Sequence, residues 1–496
     1  MSNTVAPETA DVCAASASKQ LTSASVLQIS EHRGNPRLWL QGHAPERAGF
    51  VPGARFDVLP HAHGVVLQLA QEGARTVSRK ARKASTAPEA TPPGVAPVVD
   101  VNSAADLAAL GGTRTVRVAY GKGVIYISPL ASEVRRTRRL AALRSRLASG
   151  APLRTASVAA GAGVLAHAVH AGLAAGGLAS EVAVFNEIRP ELCEQALEHN
   201  RCLGPQTVVL NMPLQELAFD NEVLARVGEV DLVELGLPCS GASVAGRAKR
   251  GLVHPEAHPD VGHLAAPALA LLVRLNPVVA IFENVPQYAS TASACILRQQ
   301  LRDLGYVTHE RELLATDFGD LEARKRWAMV AVTRGVDFDL ATLTSPGPSA
   351  RTLADVLEPA HQVADRWSEM RGLKDKEVRD LAEGKNFRMQ VYTGSESSIG
   401  TLTKGLSKNR STDPKIQHPD RPELLRVPTV SEHARIKGVP PELVQGLSFT
   451  VGHQLLGQAV CVSPFQQLAR HVAKALLSWG ASGSNVAWNT PFAAAA

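Results

Sequence analysis

Two side chains that could carry out covalent chemistry follow two predicted strands. Cys239 lies in a Pro-Cys-Ser-Gly turn after the apolar stretch 230–235, and Glu283 follows the apolar stretch 278–282. The carboxyl ends of parallel strands face the ligand crevice of an α/β sheet, so both side chains are expected over one crevice. A thiolate is a strong nucleophile, and a nearby carboxyl group can act as a general acid. The pair predicts a nucleophile with an acid partner, against the alternative of a buried, inert cysteine.

A glycine turn and a second acid predict a nucleotide-like ligand beside this pair. Gly161 and Gly163 follow the predicted strand 155–160, and Glu187 lies at the end of the predicted strand 181–185. Glycines let the backbone approach a ligand at a helix N-terminus, and a carboxylate there can accept hydrogen bonds from ribose hydroxyls. These features alone leave open a dinucleotide oxidoreductase or an S-adenosylmethionine enzyme. The thiol and acid have no role in hydride transfer, which disfavours the oxidoreductase.

The elements that must position these residues alternate in type along the chain. From residue 151 to 334, apolar strands alternate with helices, which predicts a parallel α/β sheet. Residues 335–427 lose this alternation and are predicted to be an insert of mixed polarity. A helical segment at 428–480 returns to the α/β domain, and residues 481–496 are expected to be a tail.

The N-terminal third is predicted to be a separate β-rich region. Residues 1–25 are small and polar, which predicts a disordered tail, and 26–130 contain two degenerate β units joined by a flexible linker at 73–98. Residues 131–150 are predicted to form a basic helix. The stretch Ala-Gly-Phe-Val-Pro-Gly at 48–53, followed by a strand, resembles the AbrB-like swapped-hairpin fold of the SymE type. Self-association through this region is a further expectation.

Charge and composition narrow the classes of function. Residues 1–150 contain 19 Lys and Arg against 10 Asp and Glu, which favours a polyanion partner or, alternatively, solvated basic surfaces. The six cysteines form no Cys-x-x-Cys pair, so we expect a reducing cytoplasmic setting and no metal site. The sequence contains neither a transmembrane stretch nor a secretory signal, so no membrane association is expected.

Five motifs in the same order resemble those of the DNA (cytosine-5)-methyltransferase family. Residues 236–239 (Gly-Leu-Pro-Cys) resemble its Pro-Cys motif, 283–285 its Glu-Asn-Val motif, and 324–326 (Arg-Lys-Arg) its Arg-x-Arg motif. Residues 426–440 resemble the segment that follows the target-recognition region, and 453–460 the final motif, which folds back onto the cofactor. The resemblance covers about residues 154–334 and 425–478. It implies a Rossmann-like S-adenosylmethionine-dependent methyltransferase domain of the α/β class, with a small target-recognition insert at 335–427.

The resemblance also implies a role for each matching residue. Cys239 would attack C6 of a flipped-out cytosine in double-stranded DNA, and Glu283 would contact N3 and the exocyclic amine. Arg324 and Arg326 would support the base. The implied cofactor is S-adenosyl-L-methionine, and the residues expected around it are Ala159, Gly161, Gly163, Glu187, Ile188, Asn211, Pro238, Leu264, Gln458 and Val460. DNA contacts are expected from Ser240, Ser243 and Gly246 on the loop that would close over the base, and from Thr403 and Lys404 in a locally basic stretch.

Three positions depart from the family pattern without removing a reacting group. Ala159 stands where the family often has an aromatic residue, so that Ile188 would supply the cofactor contact. Gln458 replaces the usual Asn, and Glu322 lies in a Leu-Glu pair that replaces the usual Pro-Gln. Two alternatives remain open: the same chemistry on RNA, and a catalytically idle DNA-binding regulator. The recognition sequence, and whether methylation is restriction-linked or regulatory, also stay open.

Overall fold

The computed structural model describes residues 20–61, 64–81, 95–385 and 387–482. Two compact units divide between Arg138 and Arg139. Within the described ranges, no helix is both long enough and apolar enough to span a membrane.

In its described residues, the first unit is built from ten strands in two sheets. Five of the strands lie before residue 70: β1 (Leu21–Gln28), β2 (Ser30–His32), β3 (Asn35–Gln41), β4 (Arg55–His61) and β5 (Gly64–Leu69). The other five are β6 (Arg75–Thr76), β7 (Ser78–Ala81), β8 (Val95–Val101), β9 (Thr115–Gly121) and β10 (Val124–Pro129). One sheet has the order β1-β9-β10-β5-β4-β6, and the other β2-β3-β8-β7. A short helix, α1 (His43–Arg47), links β3 to the turn before β4.

The two β units predicted in this region interleave. Strand β1 pairs antiparallel with β9, β10 with β5, and β3 with β8, so each sheet takes strands from both units. One apolar core, with Phe50, Phe56, Val99, Val118 and Ile125 fully buried, serves both. The units therefore share a single core. The likeness to a swapped-hairpin fold stays a prediction.

Two of the boundaries expected for this region were wrong. Residues 21–25 of the predicted tail belong to strand β1, which is paired with β9 over its length. The predicted linker 73–98 contains β6, β7 and the start of β8, because β7 and β8 pair and satisfy each other's backbone groups. Residues 1–19 of the predicted N-terminal tail, 82–94 of the linker and 483–496 of the C-terminal tail lie outside the described residues.

The second unit contains the predicted α/β sheet. Its strands are β11 (Leu153–Val158), β12 (Ser180–Asn186), β13 (Val208–Leu210), β14 (Leu232–Leu235), β15 (Val279–Asn284), β16 (Tyr306–Leu314) and β17 (Lys325–Thr333). Their order is β13-β12-β11-β14-β15-β17-β16. The first five are parallel, while β17 runs antiparallel between β15 and β16. The α/β prediction is confirmed, and the strand at 306–314 was missed.

The described residues from 131 onward also form helices. They are α2 (Ala131–Ser149), which crosses the unit boundary, α3 (Val164–Ala175), α4 (Pro190–His199), α5 (Leu214–Leu217), α6 (Asn221–Val227), α7 (Val244–Arg250), α8 (Ala265–Leu275), α9 (Ala292–Asp303), α10 (Arg371–Ala382), α11 (Val430–Ile436), α12 (Phe449–Gln458) and α13 (Val462–Ala481). Helix α13 packs closely on α3 because Gly172 and Gly176 carry no Cβ; a Cβ at Gly172 would lie 2.2 Å from the carbonyl oxygen of Gln466. This contact brings the C-terminal segment back to the edge where the first glycine turn lies.

The insert has a folded core of its own. Strands β18 (Val391–Tyr392), β19 (Lys415–Gln417) and β20 (Leu425–Arg426) form a small sheet in that order. The buried side chains of Leu353, Leu402 and Ile416 pack with Leu321 and Ile436 from the flanking α/β part. The insert is therefore joined to the sheet domain through apolar contacts as well as through the chain.

The basic helix α2 does not present all its arginines to solvent. Arg139 is 3% exposed and donates hydrogen bonds to Thr333 Oγ1 (2.7 Å) and to the carbonyl oxygens of Leu304 and Gly305. Arg136 is also buried, with Nε 2.9 Å from Oε2 of Glu133. These two arginines belong neither to a polyanion-binding surface nor to a solvated helix face, because both side chains are buried and bonded to groups of the protein.

Candidate functional site

A cavity of about 370 Å³ opens at the carboxyl edge of the parallel strands. This volume lies within the usual range for a small-molecule site. Its walls come from the turn after β11, the end of β12, the loop after β14 and the segment between α12 and α13. Eight of the ten residues expected around a cofactor line it: Ala159, Gly161, Glu187, Ile188, Pro238, Leu264, Gln458 and Val460.

Three of the four predicted catalytic residues line the same cavity. Cys239 begins a single 3-10 turn after β14, Glu283 is the penultimate residue of β15, and Arg326 lies near the start of β17. Arg326 Nε is 2.7 Å from Glu283 Oε1, and the two side chains are 13% and 12% exposed. Asn284 Nδ2 donates to the carbonyl oxygen of Leu237 (3.1 Å), which ties the loop that carries Cys239 to β15. The structure thus brings a thiol, an acid and a cation together at one edge.

The charges around the thiol oppose one another. Burial and the charge of Glu283 raise the pKa of Cys239, while Arg326, Arg324 and Lys404 act to lower it. Burial also raises the pKa of Glu283, against the lowering effect of the two arginines and of Lys437. A carboxyl group whose protonated form is favoured can donate a hydrogen bond as well as accept one. The protonated form of Glu283 is therefore favoured by burial and disfavoured by the neighbouring cations.

Arg324 lies away from the cavity lining. Its guanidinium is 3% exposed; Nη2 donates to the carbonyl oxygen of Gly457 (2.8 Å), and Nη1 lies 3.3 Å from Glu322 Oε1. Its charge still acts on Cys239 and Glu283. Direct support of a base by Arg324 stays a prediction, while the hydrogen bonds give it a role in holding neighbouring segments.

The glycine turn and Glu187 form one hydrogen-bonded unit. Glu187 Oε2 accepts a hydrogen bond from the backbone N–H of Gly161 (2.8 Å), and Oε1 accepts from the backbone N–H of Arg189 (3.0 Å). Ala159, two residues before Gly161, has a φ of 51°, in the left-handed region that alanine seldom adopts. The exposed Ile188 lines the same cavity. The turn is thus held in a strained shape by contacts with the end of β12.

The remaining two residues expected around the cofactor lie outside the lining. Gly163 begins α3 with a φ of 77°, and a Cβ there would lie 2.4 Å from Nδ2 of Asn200. Asn211 Nδ2 donates to the carbonyl oxygen of Glu187 (2.9 Å). Both residues lie next to residues of the cavity wall but do not line the cavity, so direct cofactor contact by either stays a prediction.

The residues expected to contact DNA fall into two groups. Ser243 caps α7 by accepting a hydrogen bond from the N–H of Gly246, and a Cβ at Gly246 would lie 2.1 Å from the carbonyl oxygen of Ser240. This group shapes the loop after Cys239. Thr403 and Lys404 are exposed, and the charge of Lys404 acts on Cys239. The structure therefore places the second group beside the catalytic edge.

Two residues important to this arrangement were not assigned a role from sequence. A Cβ at Gly457 would lie 2.1 Å from the backbone nitrogen of Lys404, so only glycine permits this approach of α12. Lys437, at the end of α11, is fully buried with Nζ 2.6 Å from Glu322 Oε2. The replacement of the usual Pro-Gln by Leu-Glu was the available signal, because a buried Glu requires a cationic partner.

Comparison with known proteins identifies relatives of the second unit. A family model described as C-5 cytosine-specific DNA methylase matches residues 153–476. The Type II methyltransferase M.MspI of Moraxella sp is 26% identical over 257 residues, which are 50% of this chain and 56% of that protein. The Type II methyltransferase M.SsoII of Shigella sonnei is 21% identical over 273 residues, or 52% and 69% of the two chains. The alignment with M.MspI thus spans little more than half of that protein.

Solved structures show the same fold. The crystal structure of S. pombe Dnmt2 methyltransferase aligns with a TM-score of 0.51 and 17% identity, covering 66% of this chain and 99% of that chain. A Spodoptera frugiperda DNMT2 structure aligns with a TM-score of 0.50 and 15% identity, over 66% and 99% of the two chains. These likenesses concern the fold of the α/β unit with its insert.

Proposed function

Because the chain belongs to the C-5 cytosine-specific DNA methylase family, we propose that it transfers a methyl group from S-adenosyl-L-methionine to C5 of cytosine in double-stranded DNA. The observation that carries this proposal is the position of Cys239 beside the Glu283–Arg326 ion pair, at the mouth of a cavity that begins at the glycine turn. A cytoplasmic location, with access to chromosomal DNA, belongs to the same proposal.

The cavity suits the proposed cofactor. Its volume of about 370 Å³ and its largely apolar wall, which includes Ile188, Leu264 and Val460, fit a nucleoside with a short side chain. Glu187, which accepts hydrogen bonds from the backbone N–H groups of Gly161 and Arg189, would also accept hydrogen bonds from the ribose hydroxyls. S-adenosyl-L-methionine would supply an electrophilic methyl group at this edge.

Cys239 and Glu283 divide the chemistry on the base. The thiolate of Cys239 would form a bond to C6 of the cytosine, and Glu283 would hold N3 and the exocyclic amine while charge moves into the ring. C5 then becomes nucleophilic and would take the methyl group, whose bond to the sulfonium sulfur breaks, so that S-adenosyl-L-homocysteine is the leaving group. Loss of the C5 proton to a base and cleavage of the sulfur–C6 bond restore the C5–C6 double bond and release the thiolate. Arg326 would keep Glu283 oriented through their 2.7 Å contact.

This chemistry requires the base to leave the helix. C5 and C6 cannot be attacked within the base stack, so the target nucleotide must flip out at a cost of a few kcal/mol. The loop that carries Ser240, Ser243 and Gly246 would close over the flipped base. Thr403 and Lys404, exposed beside the catalytic edge, would contact the phosphates and set the register.

The test is methyl transfer from labelled S-adenosyl-L-methionine to unmethylated duplex DNA, with bisulfite sequencing to report base and context. We expect Cys239→Ser to reduce transfer by at least about 10³-fold. Cys295→Ser, at an exposed cysteine on α9, is the matched control and should retain activity. Full activity of Cys239→Ser would contradict the assignment.

Parallel assays on RNA and a binding assay on duplex DNA complete the test. Transfer to RNA alone would replace DNA as the substrate while leaving the chemistry of Cys239 intact. Duplex binding without transfer to either nucleic acid would contradict the proposed activity and favour a DNA-binding regulator.

A further inference from the structure

A buried charged cluster lies behind the catalytic edge, and its centre is Glu322. We define the Glu322 cluster as Glu322, Arg324, Lys437 and Cys461, whose exposed fractions are 0%, 3%, 0% and 2%. Glu322 Oε2 accepts from Lys437 Nζ (2.6 Å) and from Cys461 Sγ (3.5 Å). Oε1 accepts from the backbone N–H of Leu402 (2.9 Å) and lies 3.3 Å from Arg324 Nη1. One carboxylate therefore joins four donors.

The four donors belong to four different parts of the second unit. Arg324 precedes β17, Leu402 lies in the insert, Lys437 follows α11, and Cys461 precedes α13. Burial acts to raise the pKa of Glu322, but the charges of Lys437 and Arg324 hold that pKa below its usual value. The carboxylate thus stays ionised inside the protein, where an unpaired charge would be strongly unfavourable.

The contacts of this cluster form a closed ring that passes the proposed DNA-contacting residues. Glu322 holds the N–H of Leu402, two residues before Lys404. The backbone of Lys404 packs on Gly457, where a Cβ would come within 2.1 Å of its nitrogen. The carbonyl oxygen of Gly457 accepts from Arg324, and Arg324 returns to Glu322. The segment 402–404 is therefore linked to Arg324 through two separate contacts, one with Glu322 and one with Gly457.

We propose that Glu322 and Lys437 are a positioning pair, which fixes the segment 402–404 of the insert in register with the catalytic edge at Cys239 and Arg324. The pair touches neither the base nor the cavity; it acts through Leu402 and Arg324. In its effect on turnover, the inference rests on the proposed methyl transfer. Its structural part, the immobilisation of 402–404, stands separately.

The ion pair is favoured over a simple packing role because the charges are matched. Lys437 is fully buried, and Glu322 is its only salt-bridge partner among the described residues. If Glu322 becomes Gln, the oxygen that accepts from Leu402 can remain, but Lys437 keeps a buried charge without a counter-charge. If both residues become Gln, two neutral amides can pair and the unpaired ammonium is removed, although Arg324 still loses its ion-pair partner, so partial recovery is expected.

The experiment compares Glu322→Gln, Lys437→Gln and the double variant. Amide hydrogen exchange of a peptide covering 400–406 reports the immobilisation directly. We expect exchange at least tenfold faster in each single variant, with recovery toward the wild type in the double variant. For methyl transfer, we expect kcat/KM to fall at least tenfold in each single variant, while the Kd for S-adenosyl-L-methionine stays within twofold. A role in folding alone would move that Kd and the exchange of the whole unit together.

Glu312→Gln is the matched control. Glu312 pairs with Lys325 at 3.3 Å on the neighbouring strands, but both side chains are about half exposed, so its loss should leave exchange at 400–406 unchanged. If Glu322→Gln does not fold, the comparison of Lys437→Gln with the wild type remains, and exchange at 400–406 should still be at least tenfold faster in this variant.

Two results would overturn the inference. One is a folded single variant with wild-type exchange at 400–406; the other is a double variant that recovers nothing relative to Glu322→Gln. If exchange responds as expected but the wild-type chain methylates neither DNA nor RNA, the positioning pair stands and the proposed function fails.

Discussion

Arg326 Nε lies 2.7 Å from Oε1 of Glu283, across the antiparallel pair formed by β15 and β17. The pairing register places Glu283 opposite Ala328, two residues after Arg326. The Arg326 side chain therefore extends along β17 toward Ala328 to contact the carboxylate. Because β17 is antiparallel to the rest of the sheet, its beginning and the end of β15 lie at the same edge. An arginine near the start of β17 is thereby brought to the site formed by the strand ends.

Replacement of Arg326 by Gln should shift the pH dependence of methyl transfer. The guanidinium acts to lower the pKa of both Glu283 and Cys239, so its removal raises both. The rising limb of the profile requires the thiolate and the falling limb requires the protonated acid, so both limbs should move to higher pH. We expect kcat at neutral pH to fall by about 10²-fold. The measurement is a pH–rate profile of methyl transfer.

Lys325→Gln is the control for this prediction. Lys325 is adjacent in sequence, but its side chain is 53% exposed and pairs with Glu312. Its profile should match that of the wild type. An unshifted profile for Arg326→Gln would show that the ion pair does not tune the acid or the thiol.

Glu187→Gln should weaken cofactor binding. The carboxylate accepts backbone hydrogen bonds at 2.8 Å and 3.0 Å with its two oxygens, whereas an amide offers one oxygen and turns an N–H group toward a donor. We expect the Kd for S-adenosyl-L-methionine, measured by calorimetry, to rise about tenfold, which corresponds to about 1.4 kcal/mol. Glu191→Gln, at an exposed acid that pairs with Arg189, should bind normally. Equal affinities of the two variants would remove Glu187 from the cofactor site.

The residues at the sheet edge could be predicted from sequence because each of them lies at or just after the end of its own strand. Cys239 and Glu283 each follow an apolar strand, and parallel strands must end at one edge. Glycines after β11 and an acid after β12 follow the same rule. These patterns located Cys239, Glu283, Gly161 and Glu187, all of which line the cavity, without any knowledge of distant contacts.

The features that escaped prediction depend on long-range contacts. Glu322 and Lys437 are separated by 115 residues, and nothing near either position indicates its partner. Gly457 is required by the backbone of Lys404, a contact that forms only after the insert has folded. The interleaving of β1 with β9 likewise follows from pairing across the whole first unit. The composition of 73–98 wrongly predicted a flexible linker, because the side chains of the paired strand β7 are mostly polar and all exposed.

Ala159→Gly should stabilise the second unit. A left-handed backbone costs an alanine about 1–2 kcal/mol, and glycine relieves this at an entropic cost of about 0.5–1 kcal/mol. We expect a net gain of up to about 1 kcal/mol in the free energy of unfolding, measured by denaturant titration. Ala160→Gly, at the next position with ordinary φ, should instead destabilise the protein. A loss of stability in Ala159→Gly would mean that its methyl group is worth more than the strain.

The last prediction concerns a buried pair of histidines. His433 and His453 are fully buried with their Nδ1 atoms 2.9 Å apart, and neither Nε2 has a hydrogen-bond partner among the described residues. Burial lowers the pKa of His433 well below its usual value, helped by the charges of Lys437, His453 and Arg324. Burial also lowers the pKa of His453 to about 4, opposed by the carbonyl of Pro428 and helped by Arg366.

These histidines therefore bind protons in the unfolded chain at pH values at which they stay neutral in the folded protein. The contribution of the neutral pair to the free energy of unfolding is fully present above pH ~6.5, where unfolded histidines lose their proton. It is lost as the pH drops toward the folded pKa of His453 near 4. From His453 alone, we expect a loss of about 2 kcal/mol between pH 7.5 and pH 5. The measurement is denaturant unfolding at several pH values. His453→Gln should flatten the dependence, and His361→Gln, at an exposed histidine, should leave it unchanged. Equal slopes for all three proteins would place the acid sensitivity elsewhere.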